Sequence, residues 1–238
     1  MTLAIKNITF LISALIIISI SFGCLETPMT SPATIDENAL LAYGWSQVSV
    51  EERSFEQTIT NSTSIVLNSA TVKYQNERLI SDINEQAIEF QESNKLPVSI
   101  DLPGSISASI VTYRLSLPAG AKLPTGLVSK IMESKINEIE ADNNAGDVQE
   151  TTTRKITLSD GTETIVRIFS ASGNSTDSEM RIVVFVTAFE NDDSSTIVMG
   201  FVPDGGHHVE IGPVNGTLFY IDGNKEINEM LELVSTIE

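Results

Sequence analysis

A single cysteine, Cys24, stands among the 238 residues of this chain. No internal disulfide can form, so the sulfur has no structural partner within the chain. Histidine is nearly as scarce: the chain has two, His207 and His208, side by side. Imidazole-based general acid–base chemistry therefore has one place to sit. No Ser-His-acid set can be located by position. The Gly-Ser pieces Pro103-Gly104-Ser105 and Ala171-Ser172-Gly173-Asn174 carry neither a nucleophile elbow nor a phosphate-loop lysine. Positive charge is also short. Lys and Arg number 14 against 32 Asp and Glu, a net charge of −18. Nucleic acid and anionic head groups are repelled by such a chain, so no nucleic-acid partner is expected. The acids are scattered rather than grouped, which suits solubility in salty surroundings and does not define a cation site.

Long apolar runs are missing except at the start. Ile8 to Phe22 is uninterrupted by charge and 15 residues long, within the range of a signal h-region and short of the roughly 20 residues that span a bilayer. Lys6 supplies the positive start, and Gly23-Cys24 follows the run. A small residue before a cysteine resembles a lipoprotein signal box, although Ser21 stands where that box usually has an aliphatic residue. Residues 1–23 are thus expected to be a signal peptide, with Cys24 lipidated and the chain anchored by lipid to the cell membrane, facing outward. Two alternatives stay open: Cys24 as an ordinary residue after a cut elsewhere, and the run kept as an uncleaved anchor helix. Both leave the rest of the chain outside the cytoplasm. Lys6 is the one charged side chain that signal removal takes away, so the mature chain is more acidic still.

Residues 24–33 read as a Thr-, Pro- and Ser-bearing linker, and 34–238 as a single extracytoplasmic domain. Asp36 is placed to cap a short helix that ends at Tyr43 and Gly44. Trp45–Thr60 and Thr63–Tyr74 read as paired strands across Asn61-Ser62. Glu77–Glu92 has partial helical spacing and reads as a helix or an irregular excursion. Ser107–Leu117 is a strand, and Thr125 caps an amphipathic helix running to about Ala141. Gln149–Leu158 and Thr162–Ser170 form a hairpin across Asp160-Gly161. Met180–Glu190 and Ser195–Pro203 form another, and Ile182–Val186 is apolar on both faces, as a central strand would be. Asp204–Asp222 reads as a loop, and Asn224–Ile237 as a closing helix. The predicted fold is α+β: one antiparallel sheet of about six or seven strands, packed by the middle and C-terminal helices.

Ser31-Pro32-Ala33-Thr34-Ile35, the helix ending Tyr43-Gly44-Trp45, and the strand Val48-Ser49-Val50-Glu51-Glu52 resemble the opening of an archaeal lipoprotein family with a domain of unknown function (number 6517). The order of elements is similar too, with residues 76–105 standing out as an insertion. The resemblance implies a surface lipoprotein of archaea, often salt-adapted. It implies no activity and carries over no functional residues; no cofactor is expected from the chain's own motifs.

Three sequons, at Asn61, Asn174 and Asn215, are glycosylation candidates. His207, His208, Asp204 and Glu210 are the one set with metal-ligand chemistry. Adjacent histidines on an extended chain point opposite ways, so at most one would join an acid at one ion, and an exposed Gly-rich loop is the simpler reading. Glu190 with Asp192-Asp193 offers oxygens but lacks the spacing of a calcium loop. Tyr43, Trp45 and Phe55 could stack on a sugar, or could form a helix-to-strand core junction. The function expected is a non-catalytic binding or scaffolding module of the cell envelope, with an envelope protein or polysaccharide as partner. The alternative is a surface hydrolase or metal-dependent enzyme using His207 and His208.

Overall fold

A computed structural model describes residues 30–60, 63–97, 102, 106–117, 123–142, 148–172 and 180–238. The described elements run α1 (Glu37–Tyr43), β1 (Trp45–Thr60), β2 (Thr63–Asn76), α2 (Glu77–Ser93), β3 (Ser109–Ser116), α3 (Thr125–Asp142), β4 (Gln149–Thr157), β5 (Glu163–Ser172), β6 (Arg181–Glu190), β7 (Ser195–Ile211), β8 (Val214–Ile221) and α4 (Gly223–Ser235). Seven strands form one antiparallel sheet in the order β1-β2-β3-β7-β6-β5-β4, and β8 pairs with β7 beyond that path. The architecture is the α+β sheet that the pattern predicts, with one strand more.

That extra strand corrects the predicted loop over 204–222. β7 does not stop at Pro203 but runs on to Ile211, turns at Gly212-Pro213 and returns as β8. Gly212, with φ 61°, takes the first central position of a two-residue hairpin turn, where glycine is favoured. Thr125 is also not a cap. It is the first helical residue, and the Pro124 carbonyl accepts from the Leu127 and Val128 amides at 2.8 and 3.3 Å.

Both faces of the sheet are covered. Residue parity on β6 shows the division: Phe185 lies in one core, Val184 and Val186 in the other. The larger core holds Val72, Tyr74, Ile110, Val198 and Val202 with Ile227, Met230, Leu231 and Val234 of α4 and Leu79, Ile83 and Ala87 of α2. The smaller core sets Leu67, Leu115, Ile197 and Met199 beneath Leu123 and Val128. Each of the buried Val, Leu, Ile and Met side chains contributes about 1.5–3 kcal/mol by leaving water. The segment read as an insertion is thus a helix whose apolar stripe is part of the main core. Trp45 is buried there as well, which makes the Tyr43-Trp45 corner a core junction rather than a stacking surface.

The N-terminal segment is fastened across the larger core. Thr30 and Ser116 share a hydroxyl hydrogen bond. The Thr112 hydroxyl donates to the Ala33 carbonyl at 2.7 Å, and the Ile35 amide donates to the Tyr74 hydroxyl at 3.1 Å. Buried Arg114 donates to the main-chain oxygens of Pro32 and Glu238 at 3.3 and 2.5 Å, and the Glu238 amide donates to the Thr34 carbonyl at 3.0 Å. Of the stretch read as a linker over 24–33, Thr30–Ala33 therefore belongs to the fold.

Close packing of β7 on α4 depends on Gly200. A Cβ there would stand 2.0 Å from Phe185 Cε1 and 2.6 Å from Met230 Cε. Gly200→Ala is expected to lower stability by about 3 kcal/mol, the upper part of the overpacking range. Gly126→Ala, on the first turn of α3 where a Cβ meets nothing within 4 Å, should be neutral or stabilising by up to about 1 kcal/mol. Urea unfolding of the two variants checks both.

Candidate functional site

The β7–β8 arm is where the chemistry-bearing residues of the sequence meet the surface. Gly205, with φ 113°, lets β7 change direction as it leaves the main sheet. The β7–β8 register then shifts between His207↔Phe219 and His208↔Thr217, leaving Leu218 as the extra residue. The shift lets Leu218 and Phe219, although consecutive, both join the larger core. The His207 ring stacks on Phe219, with centroids 5.3 Å apart and planes 20° from parallel. Val209 packs against the same core.

The outer face carries Gly206, His208 and Glu210 opposite Tyr220, Thr217 and Asn215. Thr217 Oγ1 and His208 Nδ1 are 3.1 Å apart. A Cβ on Gly206 would lie 3.3 Å from Thr217 Cγ2, 3.7 Å from His208 Nε2 and 3.7 Å from Tyr220 Cδ2. Those three side chains therefore close over Gly206, which is buried among them. Tyr220 is 59% exposed. Helix α2 stiffens the arm from behind. Gln86 pairs with the main chain of Tyr220 like another strand, donating to its carbonyl at 3.3 Å and accepting from its amide at 2.9 Å. This covers the edge of β8 at that point. Phe90 lies so close to Gly216 that a Cβ there would be 2.9 Å from its ring.

The four candidate metal ligands separate. Asp204, 6% exposed, accepts from Arg181 Nε at 2.6 Å and from the Gly223 amide at 2.9 Å, joining β6, β7 and the start of α4. His207 faces the core, while His208 and Glu210 face outward. Glu190 accepts from the Thr125 hydroxyl at 3.1 Å. Among the described residues no group of three or more His, Cys, Asp or Glu could hold a metal ion. Asn215 is exposed on β8. Cys24, Asn61, Asn174 and the Pro103-Gly104-Ser105 piece lie outside the described residues. Sequence reasoning missed Gly206, Thr217, Tyr220 and Gln86. The signal for Thr217 and Tyr220 was Val214–Ile221, a β-branched and aromatic run after a two-residue Gly-Pro turn.

A second polar cluster lies under the start of α2. Asn76 caps that helix, its Oδ1 accepting from the Leu79 amide at 2.9 Å, while its Nδ2 donates to Glu226 Oε2 at 2.9 Å. Arg78 bridges Glu226 and Glu229 at 3.4 and 2.5 Å, with Asp82 3.9 Å away and Lys225 paired to Glu229. Glu226 is 4% exposed. Burial pushes its carboxyl up from the usual value and the Glu229 charge adds to this, against the pull of Arg78 and Lys225.

The profile of a protein family described as Domain of unknown function (DUF6517) matches residues 32–238. No curated protein and no solved structure matches the chain. Among the described residues no helix is long and apolar enough to cross a membrane.

A raised carboxyl pKa means that the folded state binds a proton more tightly than the unfolded one. The stability that Glu226 contributes is therefore full below its unfolded value of 4.5 and is lost as pH rises through the raised folded value. Glu226→Gln keeps an oxygen for Asn76 and removes the buried charge. Its stability relative to the parent should improve between pH 4 and pH 8, read as the difference in urea midpoint across that range; a flat difference would sink the assignment.

Proposed function

The chain belongs to the DUF6517 family, and from that premise we propose that it is an archaeal cell-surface lipoprotein: a non-catalytic binding module held by lipid on Cys24. Residues 1–23 act as the export signal. The outer face of the β7–β8 arm meets an envelope protein or polysaccharide. The observation that carries the reading is the 15-residue apolar run ending at Gly23-Cys24, six positions before Thr30, where the chain is already fastened into the fold. Anchor and domain follow one another with no room for a further unit. The charge of −18 suits a salt-adapted surface. Tyr220, His208 and Thr217 around Gly206 supply an amphipathic ring and polar groups on a stiff support, a combination common where proteins meet partners.

The rival, a surface hydrolase or metal enzyme, needs Asp204, His207, His208 and Glu210 to act together. Asp204 is engaged by Arg181 and Gly223, and His207 by Phe219. Stoichiometric zinc in the purified protein, lost in His208→Ala, would overturn the binding-module reading.

Mass spectrometry of protein extracted from membranes should find Cys24 as the first residue, carrying lipid. Cys24→Ser should move the protein from the membrane to the soluble or secreted fraction. An intact Met1 with an unmodified thiol would refute the anchor.

A further inference from the structure

We propose that the lipid anchor on Cys24 holds the pole where Thr30 enters the fold toward the membrane, with the β7–β8 arm turned away from it. The inference rests on the membrane-anchor reading and adds a direction to it.

Thr30 is fixed beside Ser116, at the end of β3. The register of β3 on β7 runs from Leu115↔Ser195 to Ser109↔Phe201. The Thr30 pole therefore includes the β6–β7 turn at 191–194, β6 on β5 brings the β4–β5 turn at 158–162 to the same side, and the β1–β2 hairpin runs on past Ser116 there, since Asn68 pairs with Ser116 and Thr63–Leu67 continue beyond it. Glu238 lies there too, through Arg114 and Thr34. The arm, beyond Phe201 on the same strand, lies at the opposite pole. The part of β7 paired in the main sheet, Ser195 to Asp204, is about 30 Å long, and the arm begins beyond it.

Only residues 25–29 separate Cys24 from Thr30. At full extension that stretch spans about 20 Å. Six consecutive residues, Thr30 to Ile35, make hydrogen bonds to β2, β3 or Glu238, so the fold does not lengthen the tether by releasing them. The Thr30 pole is thus confined close to lipid, and the arm is not.

The confined pole presents Asp160, Glu190, Asp192, Asp193 and Glu238, and the nearby Lys155 is already paired to Glu163 at 2.5 Å. Acids facing anionic head groups repel them and are screened by salt. The pole is therefore held off an anionic bilayer at the stretch of its tether, which keeps the long axis away from the surface.

The test uses full-length protein expressed with its own signal, extracted from membranes and reconstituted in phosphatidylcholine vesicles containing an acceptor-dye lipid. A donor dye is attached through an azide-bearing phenylalanine replacing Asp192 in one sample and Glu210 in the other. Asp160 and Asn215 serve as a second pair, and circular dichroism confirms folding of each. Energy transfer to lipid should be at least roughly twofold stronger from the Thr30 pole, since the base of the arm lies about 30 Å from Ser195 along the part of β7 that stays in the main sheet. Equal or reversed transfer in vesicle-bound protein overturns the orientation while leaving the anchor intact. Failure to recover any membrane-bound protein instead overturns the anchor, and the orientation with it.

Discussion

One strand serves two structures. The first half of β7 is the centre of the main sheet, between β3 and β6; the second half has left that sheet and pairs with β8 alone. Everything that makes this chain more than a covered sheet follows from how that strand is allowed to continue. Gly200 lets it lie beneath Phe185 and Met230, and Gly205, at φ 113°, lets it change direction. Between them the chain must keep full hydrogen bonding, because an unpaired buried main-chain group costs about as much as a lost hydrogen bond. Pairing with β8 meets that demand beyond Gly205, and Gln86 meets it again at Tyr220.

The helices are then placed by polar fastenings as much as by apolar area. Asn76 ends β2, caps α2 and binds Glu226 of α4 with one side chain. Asp204 holds Arg181 and the first amide of α4. Arg114 draws Pro32 and Glu238 together over β3. Such groups specify an arrangement more than they stabilise it, since desolvation offsets much of their attraction. With no disulfide available, these contacts tie the segments near both ends of the chain to the middle of the sheet. Gln86 and Phe90 of α2 back the arm, and its outer face, with Tyr220, His208 and Asn215, is the exposed part of the histidine-bearing region.

Much of the secondary structure could be read directly. Asp36 and Gly44 bracket α1 because a carboxylate cap and a left-handed residue are local requirements. Strands β1, β4, β5 and β6 lie close to their predicted bounds because alternation and turn residues are also local. The stripe of α4, Ile227 to Ile237, was legible for the same reason. The β7–β8 arm was not. Asp204, Gly205, Gly206, Gly212 and Pro213 are loop residues by propensity, and a half-polar strand has no alternation to betray it until a partner covers one face. α2 was ambiguous because its apolar positions face β8, an element not visible in the same reading.

The amino-acid sequence by itself determined the acidity, the single cysteine after the apolar run, the α+β class and the family. These depend on composition or on residues within a few positions of one another. Tertiary structure alone decided which histidine faces water, since that depends on a register shift against Phe219 and Thr217. It also decided that Asp204 is a fastener, because Arg181 and Gly223 approach it from elements 23 and 19 residues away along the chain. And it decided that Thr30 to Ile35 is part of the fold: no local pattern shows that Arg114, Thr112 and Tyr74 will close over it.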